Sequence, residues 1–319
     1  MSLSLHSFKK LLVVSAIGLL STQAFAQDAG KTKAKKAAPV AAEKTAKTVA
    51  APVKGLLFEV KSKNNTAYLY GSIHLGKKEF FPVAAPVEKA YKAADIVAVE
   101  VDATDPAAMQ AQIPKMMYAA GDKLENHLKP ETWAALTGMV GPNAAQFQQF
   151  KPMMVAMGLV MNVYQQMGYD QNYGIDKHFI DRSKADKKQL VELETIEFQI
   201  DTLNSLNDEE ADAMLKSTLD SFKTQEIMNQ SKRLVESWEA ADTKGVIDLI
   251  NEGNNQDAGT RKFTKILLDD RNVGMTEKIT GMINNGKKVF IVVGAGHLAG
   301  EKSIVDLLEK QGMKVKQIK

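Results

Sequence analysis

Runs of apolar residues near both ends of the folded part of the chain predict β-strands. LLFEVK and AYLYGS, separated by the turn sequence KNNT, predict two paired strands near the N-terminal side. The continuous apolar runs in DIVAVEVD and KKVFIVVGAGH predict buried strands, because strands covered on both faces lose the apolar–polar alternation. KKQLVELET predicts a further strand in the middle of the chain, and MKVKQI predicts a last one.

The segments between these strands carry helical patterns. Residues 105–185 are predicted to be helical throughout, and residues 195–286 show good amphipathic period. AAPVEKAYKAA, with Pro86 near its first turn, and EKSIVDLLEKQG predict two shorter helices. Neither set of strands can bury its faces alone. We therefore expect an α/β fold, with a central mixed sheet formed by N- and C-terminal strands and large helical segments between them.

The N-terminus predicts export. Lys9 and Lys10 precede an apolar run and the sequence Ala24-Phe25-Ala26, which together are typical of a secretory signal peptide over residues 1–26 cleaved near Ala26. The chain has no cysteine, which excludes lipid attachment at cysteine and disulfides. We expect a secreted, periplasmic protein with no transmembrane anchor in its mature form.

Residues 27–54 are rich in Ala and Lys and lack aromatic residues, so we expect a disordered linker. Of the net charge of +3, the leader contributes +2 and residues 27–54 contribute +5, which leaves −4 for residues 55–319. The basic balance therefore belongs to the N-terminal segments, and a nucleic-acid-binding face is not expected. Residues 55–319 are expected to form one domain with a helical insertion.

Two of the five histidines occupy the same local sequence at opposite ends of this domain. Gly71 to His74 (GSIH) and Gly294 to His297 (GAGH) each follow an apolar strand. Gly71 is expected to permit a sharp or positive-φ turn, and two glycines give the second loop still more freedom. Ligands bind at the carboxyl ends of strands in open α/β sheets, so both histidines are expected at one edge.

Glu100 lies among apolar residues in VAVEVD, where a carboxylate is costly unless it is paired or coordinated. Two imidazoles and a carboxylate form a normal catalytic set for a divalent transition metal, which would activate water. Asp102 is two residues further on the same predicted face and is a candidate ligand or partner of a histidine. The residues alone leave open a structural role, which is the commoner one for a histidine at a strand end.

Several segments of the sequence resemble those of a known family. The segments YLYGSIHLG, ADIVAVEVD, YGIDKHFIDRS, LVELET, LLDDRN and VFIVVGAGHLAGEKSIVDLL, in this order, are similar to the TraB/GumN family. That family is similar to the Tiki proteins, regarded as metal-dependent proteases with two Gly-x-x-His motifs and a glutamate. The resemblance implies that His74, His297 and Glu100 form a metal centre, for manganese, cobalt or zinc. Haem-binding and esterase relatives belong to the wider fold group that it implies.

Further residues are candidates for supporting roles. Within YGIDKHFIDRS, Gly174, Asp176 and Arg182 match the family pattern, and Asp176 is interpreted as a helix cap. Glu194 either approaches the site from a strand end or is a charge at a helix start. Arg271 either pairs with a buried carboxylate, holds a substrate carboxylate or oxyanion, or forms an exposed salt bridge.

The remaining histidines and the Met-rich segment have ordinary interpretations. His127 is expected in a solvent-facing loop, and His178 is expected to pack, with a role near the pocket as the alternative. The Met-rich helix is expected to be core, or else the wall of a substrate groove. Its apolar members are Met153, Met154, Met157, Met161, Met167 and Tyr164.

Absent motifs narrow the function. The chain has no Cys nucleophile, G-x-S-x-G, P-loop or H-E-x-x-H, and GAGHLAG does not match the dinucleotide pattern. Taken with the family resemblance, which carries most of the weight, the sequence predicts a secreted metal-dependent hydrolase, a peptidase acting on a peptide or protein substrate, with catalytic roles for Glu100 and Arg271. The alternatives are a periplasmic protein that binds a peptide or haem without turnover and a structural exported protein. Oligomeric state and substrate identity stay open.

Overall fold

The computed structural model describes residues 54–254 and 258–319. The predicted signal peptide and all of the predicted linker except Lys54 lie outside the described residues. Within the described ranges, no helix has both the length and the apolar character that crossing a membrane requires.

Six strands form one mixed sheet in the order β4-β3-β5-β2-β1-β6. The strands are β1 (Leu56–Lys61), β2 (Thr66–Ser72), β3 (Ile96–Val99), β4 (Gln189–Glu192), β5 (Val289–Gly294) and β6 (Lys314–Ile318). β1 is antiparallel to both of its neighbours, and the other pairings are parallel. The predicted α/β fold, with a sheet built from both ends of the chain, is confirmed.

The C-terminal strand β5 lies between the two N-terminal strands β2 and β3. β3 and β5 are buried along their whole length, which explains their continuous apolar sequences. Ser72 pairs with Gly294, and Val99 pairs with Val292, so the carboxyl ends of the parallel strands lie at one edge of the sheet. β3 ends at Val99. Glu100 therefore follows the strand, where the sequence analysis placed it inside.

The described residues form thirteen α-helices, and all but the first and the last lie between β3 and β5. In chain order they are α1 (Ala85–Ala93), α2 (Pro106–Met116), α3 (Pro130–Val140), α4 (Ala144–Phe147), α5 (Pro152–Gln166), α6 (Ile175–Ala185), α7 (Ile196–Leu203), α8 (Asp208–Lys223), α9 (Glu226–Glu239), α10 (Thr243–Asn254), α11 (Ala258–Thr264), α12 (Asp270–Asn284) and α13 (Ile304–Lys310). The prediction that residues 105–185 are helical throughout is wrong in detail, because loops and short 3-10 turns separate α2 to α6. A π-helical turn, Lys265–Asp269, leads into α12.

Local sequence sets several helix starts. The side chain of Thr195 accepts a hydrogen bond from the amide of Phe198 and caps α7. Asn207 and Glu210 form a reciprocal capping box at the start of α8. The cap on α7 matters for the site, because it fixes where the chain turns from the end of β4 into a helix.

The Met-rich helix α5 is part of the core, as predicted. It packs against α8 and α9. Its buried members include Met153, Met154, Met157, Met161 and Tyr164. The flexible thioether side chains fill the space between three helices, and this observation gives no support to a substrate-groove role for them.

Aromatic packing fixes α6 on the sheet. Phe179 of α6 is fully buried, with its ring centroid 5.8 Å from that of Tyr70 on β2 and 4.9 Å from that of Phe290 on β5. Aromatic pairs at these separations contribute beyond the area that they bury. Because Phe179 is one turn after Asp176, this packing also sets the position of Asp176 at the edge of the sheet.

Candidate active site

Four polar side chains follow the carboxyl ends of four neighbouring parallel strands. In their order across the sheet they are Glu194 after β4, Glu100 after β3, His297 after β5 and His74 after β2. The backbone amide of Glu194 donates to the carbonyl oxygen of Glu100 at 2.9 Å, so the pairing of β3 and β4 continues past their ends. The sheet edge therefore carries two carboxylates beside two imidazoles.

His297 is only 3% exposed and lies between two acceptors. Its Nδ1 atom is 2.7 Å from Oδ1 of Asn272, and its Nε2 atom is 3.7 Å from Oε1 of Glu100. Burial lowers the pKa of His297, the carboxylate of Glu100 opposes this shift, and nearby positive charge adds to it, so the pKa falls to about 3. The ring is therefore neutral at pH 7.

His74 lies at the end of a chain of polar contacts that begins at β2. Ser72 Oγ donates to Oδ1 of Asp176 at 2.5 Å, and Oδ2 of Asp176 lies 2.7 Å from Nδ1 of His74. The Nε2 atom of His74 is buried and has no hydrogen-bond partner among the described residues. Burial lowers the pKa of His74, but the charge and hydrogen bond of Asp176 outweigh it and raise the pKa. Asp176 was interpreted as a helix cap, and that interpretation is wrong, because Gly174 occupies the N-cap position.

Glu100 is 4% exposed and accepts hydrogen bonds at both of its oxygens. Oε1 accepts from the amide of Gly294 at 2.7 Å, and Oε2 accepts from Arg271 at 2.5 Å and from Gln199 at 3.2 Å. Burial alone would raise the pKa of Glu100, but nearby positive charge and the Gly294 amide lower it. Since His297 is neutral at pH 7, the permanent charge of Arg271 has the larger share in keeping this carboxylate ionised.

Arg271 bridges the two glutamates. Its Nε atom lies 3.0 and 3.1 Å from the two oxygens of Glu194, and its Nη2 atom lies 2.6 Å from Glu194 and 2.5 Å from Glu100. Nη1 donates to the carbonyl of Leu267 in the π-helical turn. Of the three roles that the sequence left open, Arg271 takes the pairing with buried carboxylates. Two carboxylates face one guanidinium, so the cluster keeps an excess of negative charge that suits a cation.

Gly71 and Gly294 lie in tight surroundings. A Cβ atom on Gly71 would lie 3.1 Å from Leu56 Cβ and 3.2 Å from Ala295 Cα, and one on Gly294 would lie 3.3 Å from Glu100 Oε1. Neither glycine has positive φ, and Gly71 lies within β2. The expectation of a positive-φ turn at Gly71 is therefore wrong, since the backbone there is extended.

The donor chemistry suits a divalent transition metal. Nε2 of His74 has no hydrogen-bond partner among the described residues, and Nε2 of His297 lies 3.7 Å from Glu100 Oε1. Two bonds of about 2.1 Å to one ion span at most about 4.2 Å, so Nε2 of His297 and Oε1 of Glu100 can share an ion. In the described part of the chain, no three His, Cys, Asp or Glu side chains are arranged as a closed metal site. The types of donor atom fit such an ion, although the described side chains do not enclose one.

Two other candidates lie in ion pairs. The carboxylate of Asp102 contacts Lys184 at 2.6 Å and the hydroxyl of Thr104 at 2.6 Å. Arg182 forms a bidentate pair with Glu88 at 2.6 and 2.7 Å, which joins α6 to α1. The structure therefore places Asp102 against a lysine, where the sequence suggested a ligand or a histidine partner, and Arg182 in an inter-helix contact.

The other two histidines of the domain have different environments. His127 is paired through both ring nitrogens, with Asp122 at 2.8 Å and Asp208 at 2.9 Å, and it stacks on Tyr118. His127 is therefore partly exposed, and its ring is held by two carboxylates, which the sequence did not predict. The ring of His178 packs against Phe81 with centroids 4.5 Å apart, in agreement with the predicted packing role.

Sequence reasoning missed two residues of the site. Asn272 contacts His297, and the Nε2 amide of Gln199 donates to both Glu100 and Glu194. The available signal was the buried face of α12, where Asn272 sits among apolar residues at helical spacing. For Gln199, the signal was an amide residue on the apolar face of α7, five residues after Glu194.

Histidines and carboxylates at the carboxyl ends of neighbouring parallel strands define an α/β protein with a polar site at that edge of the sheet. The particular family follows from comparison. The chain belongs to the TraB/PrgY/gumN family, whose sequence model matches residues 56–317. The predicted resemblance is thereby confirmed.

Similar proteins include one from bacteria and two from animals. The chain is 27% identical to the uncharacterized protein YbaP of Escherichia coli K12 over 248 residues, which covers 77% of this chain and 88% of YbaP. It is 22% identical to a metalloprotease TIKI homolog of Nematostella vectensis, covering 79% of this chain and 65% of that protein. It is also 22% identical to metalloprotease TIKI1 of Danio rerio, covering 78% of this chain and 60% of that protein. No solved structure matches the chain.

Proposed function

We propose that this protein is a metal-dependent hydrolase that cleaves peptide or amide bonds, with His74, His297 and Glu100 as ligands of a divalent ion. The observation that carries the proposal is the placement of two histidines at neighbouring strand ends beside Glu100: His297 is buried, and His74 has a buried Nε2 atom without a partner among the described residues. Membership of the TraB/PrgY/gumN family and similarity to two proteins named metalloproteases support it. Manganese, cobalt and zinc are the ions proposed.

The residues of the chain prepare the site for an ion. Asp176 holds Nδ1 of His74, which leaves Nε2 as its donor atom. Arg271 keeps Glu100 ionised through a charge-assisted hydrogen bond and holds Glu194 beside it. A bound divalent ion would supply the activation of water and the polarisation of the substrate carbonyl.

The proposal includes the location and the substrate class. The leader and the Ala24-Phe25-Ala26 sequence support export to the periplasm, where a peptide or protein segment would be the substrate. The −4 charge of residues 55–319 argues against nucleic acid as a partner.

Metal content of the purified, exported protein tests the proposal first. The protein is exposed to Mn²⁺, Co²⁺ or Zn²⁺, desalted and analysed by mass spectrometry, beside His74→Ala, His297→Ala and the control His178→Ala. We expect about one ion per chain in the parent and the control, and none in the two site variants. Cleavage of a peptide library that stops on chelation and returns with metal then identifies the activity.

A different result would favour the non-catalytic alternative. If the folded parent binds none of the three ions, the hydrolase proposal fails. A Soret band after haem addition, or peptide binding without cleavage, would then assign the site to ligand binding. Bound metal in the parent with full retention in both site variants would also contradict the ligand assignment.

A further inference from the structure

A neutral His297 has one N–H group and two acceptors that compete for it. Asn272 Oδ1 is 2.7 Å from Nδ1, and Glu100 Oε1 is 3.7 Å from Nε2. A carboxylate is the stronger acceptor at equal distance. At 3.7 Å, however, it is beyond hydrogen-bond range, while 2.7 Å is a short bond. Distance therefore decides the competition in favour of Asn272.

The orientation of Asn272 is fixed from its other side. Its Nδ2 group donates to the carbonyl oxygen of Lys302 at 2.9 Å. A carbonyl can only accept, so the amide oxygen of Asn272 must face His297. Since that oxygen is also only an acceptor, Nδ1 of His297 must carry the proton.

The loop after β5 carries both of the groups that Asn272 contacts. His297 and Lys302 are five residues apart on it, and the backbone between them takes unusual conformations. Gly300 has φ of 92° and Lys302 has φ of 59°, both in the region that side chains disfavour. The strained turn places the Lys302 carbonyl so that Asn272, on α12, is held between the loop and its histidine.

We propose that Asn272 is a positioning residue that selects the Nδ1–H tautomer of His297 and so keeps Nε2 free as a donor atom toward a metal ion. The inference rests on the proposed function for the use of Nε2, but the tautomer itself is a property of the metal-free protein. Without Asn272, no acceptor would hold the proton on Nδ1, and the negative charge of Glu100 would favour the proton on Nε2. A proton on Nε2 would occupy the atom that a metal ion needs.

Nitrogen NMR of the metal-free protein, with ¹⁵N-labelled histidine, tests the tautomer directly. The chain has only five histidines, and the signals missing from His297→Ala identify those of His297. In the parent at pH 7 we expect Nδ1 of His297 to be protonated and Nε2 to be bare. In Asn272→Leu, which removes the acceptor at similar volume, we expect the proton on Nε2.

Two further variants separate positioning from packing. Asn272→Asp keeps an acceptor beside Nδ1 and is expected to keep Nδ1 protonated. Asn204→Leu is the matched control, because Asn204 also donates to a backbone carbonyl, of Lys115 at 2.9 Å, and contacts no histidine. It is expected to leave the spectrum of His297 unchanged. Titration with Mn²⁺, Co²⁺ or Zn²⁺ is expected to show about 10–100-fold weaker binding in Asn272→Leu than in this control.

The outcomes distinguish this inference from the proposed function. A parent spectrum with the proton on Nε2 overturns the role of Asn272, whether or not metal binds, and so does an unchanged tautomer in Asn272→Leu. If Asn272→Leu does not fold, the spectra of the parent and of Asn272→Asp still show whether Nδ1 of His297 carries the proton. Failure of the parent to bind any ion, with the Nδ1–H tautomer in place, would overturn the proposed function and leave the tautomer assignment standing.

Discussion

The carboxylate of Asp176 is held at both oxygens, by Ser72 on one side and by His74 on the other, at 2.5 and 2.7 Å. A carboxylate behind a ligating imidazole fixes its orientation and raises its basicity. For Asp176→Asn we therefore expect metal affinity about 10–100-fold below that of the parent, measured by competition with a chelator of known affinity.

Asp181→Asn is the control for this prediction, because Asp181 lies on the same helix and forms an exposed pair with Lys177. Its metal affinity should equal that of the parent. Equal metal affinities in the two variants would contradict a role for Asp176 in the site.

Arg271 is the cation that compensates two buried carboxylates. Removing one partner of a buried ion pair leaves uncompensated charge, which typically costs about 3–5 kcal/mol. We expect Arg271→Met to lower the free energy of unfolding by about that amount in urea titrations followed by circular dichroism. Arg233→Met, which breaks a partly exposed pair with Glu252, should cost less than about 1 kcal/mol. Similar losses in the two variants would contradict the buried network.

Gly174 allows α6 to approach the His74 loop. A Cβ atom at position 174 would lie 2.3 Å from the carbonyl oxygen of His74, which is backbone and cannot rotate away. Gly174→Ala is therefore expected to destabilise the fold and to displace His74, with a lower melting temperature and weaker metal binding.

The matched substitution is Gly281→Ala in α12, where a Cβ atom would meet nothing within 4 Å. Replacing a helical glycine by alanine should stabilise the protein by up to about 1 kcal/mol. Opposite shifts of melting temperature for the two variants are the expected result, and a gain in both would contradict the close approach at Gly174.

His127 is expected to make stability depend on pH. Both ring nitrogens face carboxylate oxygens, which only accept, so the paired form is the doubly protonated ring. Burial lowers the pKa of His127, and the hydrogen bonds and charges of Asp208 and Asp122 more than offset this and raise it. A raised pKa means that the stabilisation is complete below about pH 6.5, the ordinary value, and is lost as pH rises through the folded-state pKa.

Comparison with His127→Gln measures this contribution. The free energy of unfolding of the parent should exceed that of the variant at pH 5.5, by less than about 1 kcal/mol because the group is partly exposed, and the difference should shrink by pH 8.5. A difference that grows with pH would reverse the sign and refute the doubly protonated pairing.

The fold was predictable because its signals are local. The continuous apolar runs of β3 and β5 and the repeated Gly-x-x-His after β2 and β5 are visible in short windows. The carboxyl ends of neighbouring parallel strands lie at one edge of a sheet, which brings the two histidines to the same edge. Glu100 was noticeable for the same reason, since a carboxylate within an apolar run needs a partner.

The partners of these residues could not be predicted in the same way. Asp176 was interpreted as a cap because a local hydrogen bond is the ordinary use of that residue type, whereas its partners Ser72 and His74 lie far away in the chain. Arg271 had three equal interpretations until packing placed it between two carboxylates. Local sequence reports propensity and burial, and it does not specify which distant polar group satisfies a buried one.

The position of β5 between β2 and β3 has a consequence for the order of events during folding. The part of the chain before β5 contains His74, Glu100 and Asp176. It includes β2 and β3 but not β5, which lies between them in the sheet. An incomplete chain therefore holds two of the proposed ligands without a surface that brings them together, and long-range strand pairing of this kind forms slowly. Any activity of the site would appear only when the last part of the chain inserts, so a polypeptide still being synthesised or translocated would be inert.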